Sequence, residues 1–125
     1  KVACPTCQYT FPFMERLYQR LRAHGGQIWG ISQDNVPDSQ RFAKECGVTF
    51  PLLIDDYPHK ISRAYGVKYV PTLFLIASDG RVELTSDGFC KADLLKIQQA
   101  LANHLSASPP ALFLPRDRVP EYKPG

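Results

Sequence analysis

Two cysteines separated by two residues open this 125-residue chain, in the segment Cys4-Pro5-Thr6-Cys7. On a helix, residues three apart share a face. A cysteine at a helix N-terminus meets unpaired amides and the positive end of the macrodipole, and both favour a thiolate. Pro5 suits the first helical position because it has no amide hydrogen to leave unpaired. The chemistry this permits is thiol–disulfide exchange. A nucleophilic Cys4 can attack a partner disulfide, and Cys7 can then resolve the mixed disulfide that results.

Two other uses of a Cys-x-x-Cys pair fit less well. A closed zinc site needs a second ligand pair at short spacing. Cys46 and Cys90 stand alone, and His24, His59 and His104 show no ligand spacing, so no metal is expected. A purely structural disulfide between Cys4 and Cys7 would close too small a loop to constrain the unfolded chain much.

The elements that must position this pair alternate between helical and extended patterns, which argues for an α/β fold. A helix is predicted from about Pro5 to Ala23, with Phe11, Met14, Tyr18 and Leu21 at helical spacing and Phe13 and Leu17 as a second stripe. Gln27 to Ser32 reads as a buried strand, with Trp29 in the core. Asn35 is the preferred N-cap of the next helix, which puts Pro37 in its first turn. Phe42 and Cys46 lie on that helix's inner face, and Cys46 is expected to be buried and inert. Phe50 to Asp55 reads as an edge strand. Ile61, Ala64 and Tyr65 mark a short helix ending at Gly66. Thr72 to Ala77 is the strongest strand, and Ser78-Asp79-Gly80 turns it into an antiparallel return over Arg81 to Thr85. A last helix runs from about Lys91 to Leu105, with Leu94, Ile97, Leu101 and Leu105 inward and Cys90 at its N-cap. From Ser106 prolines are dense, at 109, 110, 115, 120 and 124. No regular element is expected there, only disorder or an extended strap held by Leu112, Phe113 and Leu114.

Length allows one core. The net charge is +3, and the basic residues are scattered rather than clustered, which argues against a nucleic-acid tract. No apolar run reaches the roughly 18–20 residues that span a bilayer, and no charged-then-apolar leader is visible.

Three motifs in order resemble the thioredoxin superfamily, specifically its redoxin branch, which includes TlpA/ResA-like proteins and relatives of the peroxiredoxins. The first is Cys4-Pro5-Thr6-Cys7 followed by the in-helix Pro12. The second is Gly47-Val48-Thr49-Phe50-Pro51-Leu52-Leu53-Ile54-Asp55. The third is Tyr65-Gly66-Val67 with Val70-Pro71-Thr72. The resemblance covers residues 1–105 and implies a thioredoxin-like three-layer α/β/α sandwich with a mixed central sheet, followed by a proline-rich tail over 106–125. It implies catalytic Cys4 and Cys7, and a substrate-docking surface made by Pro5, Thr6, Val70 and Pro71. The Val70-Pro71 bond is then expected to be cis, with the Val70 backbone pairing to a substrate polypeptide. No cofactor is implied. The implied partners are protein or small-thiol disulfides and dithiols, in an extracytoplasmic setting, with the cytoplasm left open.

The sequence departs from the family pattern where Ala3 replaces the usual Trp and Pro-Thr separates the cysteines, which leaves the direction of electron flow open. Cys90 reads as a plain substitution at an N-cap. Only Lys1, Val2 and Ala3 are available for the central strand that should precede the first helix. That strand is therefore expected to be truncated, or supplied through strand swapping in a homo-oligomer. A peroxiredoxin-like peroxidase and a non-catalytic binding domain are the competing readings. Against the peroxidase, Cys4 stands where that family places a Thr, three residues before its peroxidatic cysteine.

Overall fold

The structure is a computed structural model that describes residues 1–109 and 111–125. Pro110, one of the tail prolines, lies outside the described residues. Helix α1 spans Pro5–Leu21, and strand β1 spans Gly30–Ser32. Helix α2 (Val36–Glu45), strand β2 (Leu52–Ile54) and the short helix α3 (Lys60–Ala64) follow. A hairpin of β3 (Thr72–Ile76) and β4 (Val82–Asp87) leads through β5 (Phe89–Cys90) into helix α4 (Lys91–His104). The chain then crosses back, turns once as a 3-10 helix at Pro115–Asp117, and forms β6 at Tyr122–Lys123.

The caps follow from side-chain chemistry. Asn35 starts α2 by accepting the Asp38 amide at 2.8 Å, which satisfies a donor the helix itself leaves unpaired. Asp55 organises the start of α3, accepting from Ile61 N at 3.0 Å and from Ser62 N and Oγ at 2.8 and 2.7 Å. Gly80 closes the β3–β4 turn at a φ of 88°, where a side chain would be strained.

β1 pairs with β2 in parallel, while β3 pairs with β4 and β5 with β6 antiparallel. Lys1–Ala3 form a turn rather than a strand, and no ladder joins β1 to β3 among the described residues. Val2 is held sideways instead. Its amide donates to Asp34 Oδ2 at 2.7 Å, and its carbonyl accepts from Gln8 Nε2 at 2.8 Å.

The core lies between α1, α4 and the strands. Leu17, Leu21, Phe89, Leu94 and Leu112 are buried there. The face of α1 that is buried carries Phe13, Met14, Leu17 and Leu21, while Phe11 and Tyr18 are only partly covered at its edge. Glu15, on the same helix, is buried with its carboxylate accepting from Thr49 N at 2.8 Å, Thr49 Oγ1 at 2.6 Å and Gln19 Nε2 at 2.6 Å. It ties α1 to the loop before β2.

Four expectations need correction. The strand expected over 27–32 is only three residues long. Trp29 is 62% exposed and Ile31 is exposed too, because alternate side chains point to a face that no element covers among the described residues. Trp29 is therefore not a core residue. Cys46 is half-buried at the C-cap of α2 rather than buried within the helix. Finally, the tail does form a regular element, since β6 pairs in register with β5. A two-residue strand next to prolines has no periodicity for a sequence to display.

Candidate active site

Cys4 is the N-cap of α1, with extended backbone at φ −85° and ψ 114°. Its sulfur accepts the Cys7 amide at 3.1 Å. This is the bond a capping Ser or Asp oxygen would make, and it places the sulfur over the open end of the helix. Pro5 fills the first helical position, where no donor is lost. Both cysteines are free thiols.

The two differ in setting. Cys4 is half-buried and keeps an open side, whereas Cys7 is 2% exposed. Burial, together with a hydrogen bond to Cys4, pushes the Cys7 thiol up to about 12. Burial disfavours the charged form of a thiol, so Cys7 is held protonated at neutral pH.

The loop before β3 closes over this pair. The Val70–Pro71 bond is cis, as is Tyr57–Pro58. The Cys4 thiol donates to the Val70 carbonyl at 3.3 Å. Thus Cys4, Pro5, Thr6, Cys7, Val70 and Pro71, which the sequence singled out, fall in one place. Cys46 and Cys90 are not part of it. Cys90 sits at the N-cap of α4, where its side chain makes no capping hydrogen bond.

One participant has no signal in the sequence. The segment at residues 121–125 runs along this same edge. Thr6 Oγ1 donates to the Pro124 carbonyl at 2.6 Å. Gly125 lies against Val70, where an added Cβ would fall 2.7 Å from the Val70 oxygen. Nothing in the spacing of Thr6 and Pro124, 118 residues apart, predicts that contact.

Residues 1–85 match the model of the AhpC/TSA family. The chain belongs to that family. It is 36% identical over 81 residues to the thiol-disulfide oxidoreductase ResA of Halalkalibacterium halodurans, covering 63% of this chain and 45% of the relative. It is 34% identical over 83 residues to ResA of Bacillus subtilis strain 168, covering 63% and 44%. The chain thus spans less than half the length of these curated relatives. Among solved structures, a Chlorobium tepidum protein assigned as thiol:disulfide interchange protein DsbE superposes with a TM-score of 0.73 at 30% identity, over 83% of this chain and 74% of that one. StoA of Bacillus subtilis superposes at 0.61 with 26% identity, over 75% and 72%. The fold is thioredoxin-like, and within the AhpC/TSA family the chain is TlpA/ResA-like.

Proposed function

We propose that this chain is a thiol–disulfide oxidoreductase that exchanges the Cys4–Cys7 dithiol with disulfides of protein or small-molecule partners. The observation that carries the reading is the placement of the Cys4 sulfur. It is half-open at a helix N-terminus, between the Cys7 amide and the Val70 carbonyl, with Cys7 buried directly behind it.

The steps follow from that arrangement. The Cys4 thiolate attacks one sulfur of the partner disulfide. The partner's S–S bond breaks, a Cys4–partner bond forms, and one partner thiolate leaves. Cys7 then loses its proton and attacks the Cys4 sulfur. The second partner thiolate leaves, and a Cys4–Cys7 disulfide remains. Two electrons have passed to the partner, and the reverse sequence oxidises a dithiol. Val70 supplies the backbone edge, and Pro5, Thr6 and Pro71 the surface, on which a partner strand docks.

The resemblance to ResA, DsbE and StoA supports this reading, and so does the burial of Cys7. A peroxidase would need Cys7, in the register where Cys4 replaces a Thr, to meet peroxide directly. A sealed thiol pushed up to about 12 is a poor nucleophile for that purpose.

The test is disulfide exchange with insulin as substrate. The native sequence reduces insulin in the presence of a dithiol donor, and Cys4→Ser abolishes the reaction. Undiminished rates in Cys4→Ser would overturn the assignment. The equilibrium potential of the pair gives the direction. A value near roughly −270 mV marks a reductant, and one near roughly −120 mV an oxidant.

A further inference from the structure

The segment Glu121–Gly125 touches three separated parts of the site's rim. Thr6, between the two cysteines, donates to the Pro124 carbonyl at 2.6 Å. Val70 meets Gly125. Gly88, just before β5, lies against the Lys123 carbonyl, Pro124 and the Gly125 amide so closely that a side chain there would collide with the Lys123 carbonyl. The Gly88 amide in turn donates to the Pro71 carbonyl at 2.8 Å, which joins these two loops, and residues 124–125 bridge them to the first turn of α1.

The segment reaches this rim as an added strand. β6 pairs antiparallel with β5, with Phe89 opposite Lys123 and Cys90 opposite Tyr122. The Lys91 amide donates to the Glu121 carbonyl at 2.9 Å. Lys91 Nζ lies 3.1 Å from Glu121 Oε1, and Lys123 Nζ lies 5.1 Å from the centre of the Tyr9 ring. The ion pair is exposed and the ring contact only half-buried, and each is worth a fraction of what a fully buried contact gives.

Upstream, the strap is pinned more firmly. Leu112 is fully buried, and Arg16 Nη1 donates to the Leu112 carbonyl at 2.6 Å and to Asp117 Oδ2 at 2.8 Å. A firm anchor followed by a two-residue strand and a few backbone contacts describes a segment that can lift while remaining tethered. Its occupied position is that of an extended polypeptide beside Cys4, held through backbone atoms.

We propose that residues 121–125 act as an intramolecular pseudosubstrate, covering the docking wall of the dithiol so that a polypeptide partner must displace them before Cys4 can attack. The proposal rests on the exchange reading above. Small disulfides, which need only the open side of Cys4, bypass the cover. The strap thereby sets a preference among substrates without touching either sulfur's chemistry.

The test compares the chain with a variant lacking Glu121–Gly125, which keeps the Leu112 and Asp117 anchors. The substrates are a peptide disulfide and hydroxyethyl disulfide. Deletion is expected to raise the second-order rate with the peptide disulfide about tenfold, as for a wall open on the order of one-tenth of the time. The rate with hydroxyethyl disulfide should change less than about twofold on the same argument. An unchanged or lowered peptide rate overturns the proposal. A readout without redox chemistry separates it from the function itself. In the Cys4→Ser/Cys7→Ser background, a synthetic peptide of residues 118–125 should bind the shortened chain and not the full one. Failure to bind the shortened chain overturns the strap's role whatever the dithiol does. Binding without exchange in either redox-competent chain overturns the exchange reading instead.

Discussion

The Cys4 thiol donates a hydrogen bond to the carbonyl of Val70 at 3.3 Å, across 66 residues of sequence. The same sulfur accepts from the Cys7 amide. The two bonds respond oppositely to ionisation. A thiolate has no proton to give Val70, but it is a better acceptor for an amide. Ionisation therefore frees the Val70 carbonyl while tightening the helix cap. In the exchange reading, the act that arms the nucleophile also releases the backbone oxygen beside which a partner would dock.

Alkylation should follow the asymmetry of the pair. Brief treatment with iodoacetamide at pH 7 is expected to modify Cys4 and to spare Cys7, which is 2% exposed and pushed up to about 12. Peptide mapping by mass spectrometry reads the result, and equal labelling of the two would contradict the geometry. Because Cys7 ionises less readily in the folded chain than a free thiol, its neutral form stabilises the fold. That contribution is full below the ordinary thiol value and is lost as pH rises through about 12. The step in which Cys7 attacks should accelerate about tenfold per pH unit between pH 6 and 8, as its thiolate fraction does.

Glu15→Ala should destabilise the fold by about 2 kcal/mol, because it leaves the Thr49 amide and hydroxyl without their charged acceptor. Chemical denaturation gives the number. Glu15→Gln, which can still accept, should cost less, and a variant as stable as the native chain would show the Glu15–Thr49 tie to be idle.

Phe89→Ala should cost about 3–5 kcal/mol. Phe89 is 0% exposed and meets Tyr9 at 5.0 Å, Phe13 at 5.8 Å and Phe113 at 6.0 Å between ring centres. These aromatics join α1, β5 and the strap. Thermal unfolding of the variant checks this, and a loss below about 1 kcal/mol would mean the cluster can collapse into the gap.

Acid should destabilise the chain through the carboxylates held below their ordinary range, Glu15, Asp55 and Asp117 among them. For Glu15 and Asp55, burial alone would raise the value. It is outweighed at Glu15 by hydrogen bonds from Gln19, Thr49 and Phe50, and at Asp55 by those from Ser62 and Ile61, so both are held below the ordinary range. The Arg16 guanidinium and then the Leu114 amide lower Asp117. A depressed carboxylate stabilises the fold fully above its unfolded value, near 4, and the gain is lost as pH falls through the folded one. Stability should therefore decline below about pH 4.5, and replacing Glu15 with Gln should flatten that decline.

Helices were legible in this sequence because their caps and breakers are local. Asn35 with Asp38, Gly47 and Gly66 act within one turn. The dithiol was legible for the same reason, since Cys4, Pro5 and Cys7 lie within one turn of α1. Its meeting with Val70 and Pro71 was legible only through resemblance, because no local pattern joins residues 66 apart. Trp29 was misplaced because an apolar run gives no sign of which face a neighbouring layer leaves bare. A strap held at Leu112 was one of two readings the apolar run allowed, but the order of 121–125 was opaque because it comes from outside the tail. Arg16, Thr6 and β5 supply the partners that its prolines cannot supply among themselves.

The central claim is that Cys4 attacks and Cys7 resolves. It is tested most directly by Cys7→Ser incubated with a peptide disulfide and analysed by non-reducing peptide mapping. The account predicts a lasting adduct of half the peptide on Cys4. Attachment at Cys46 or Cys90 instead, or no adduct on Cys4 at all, would contradict it.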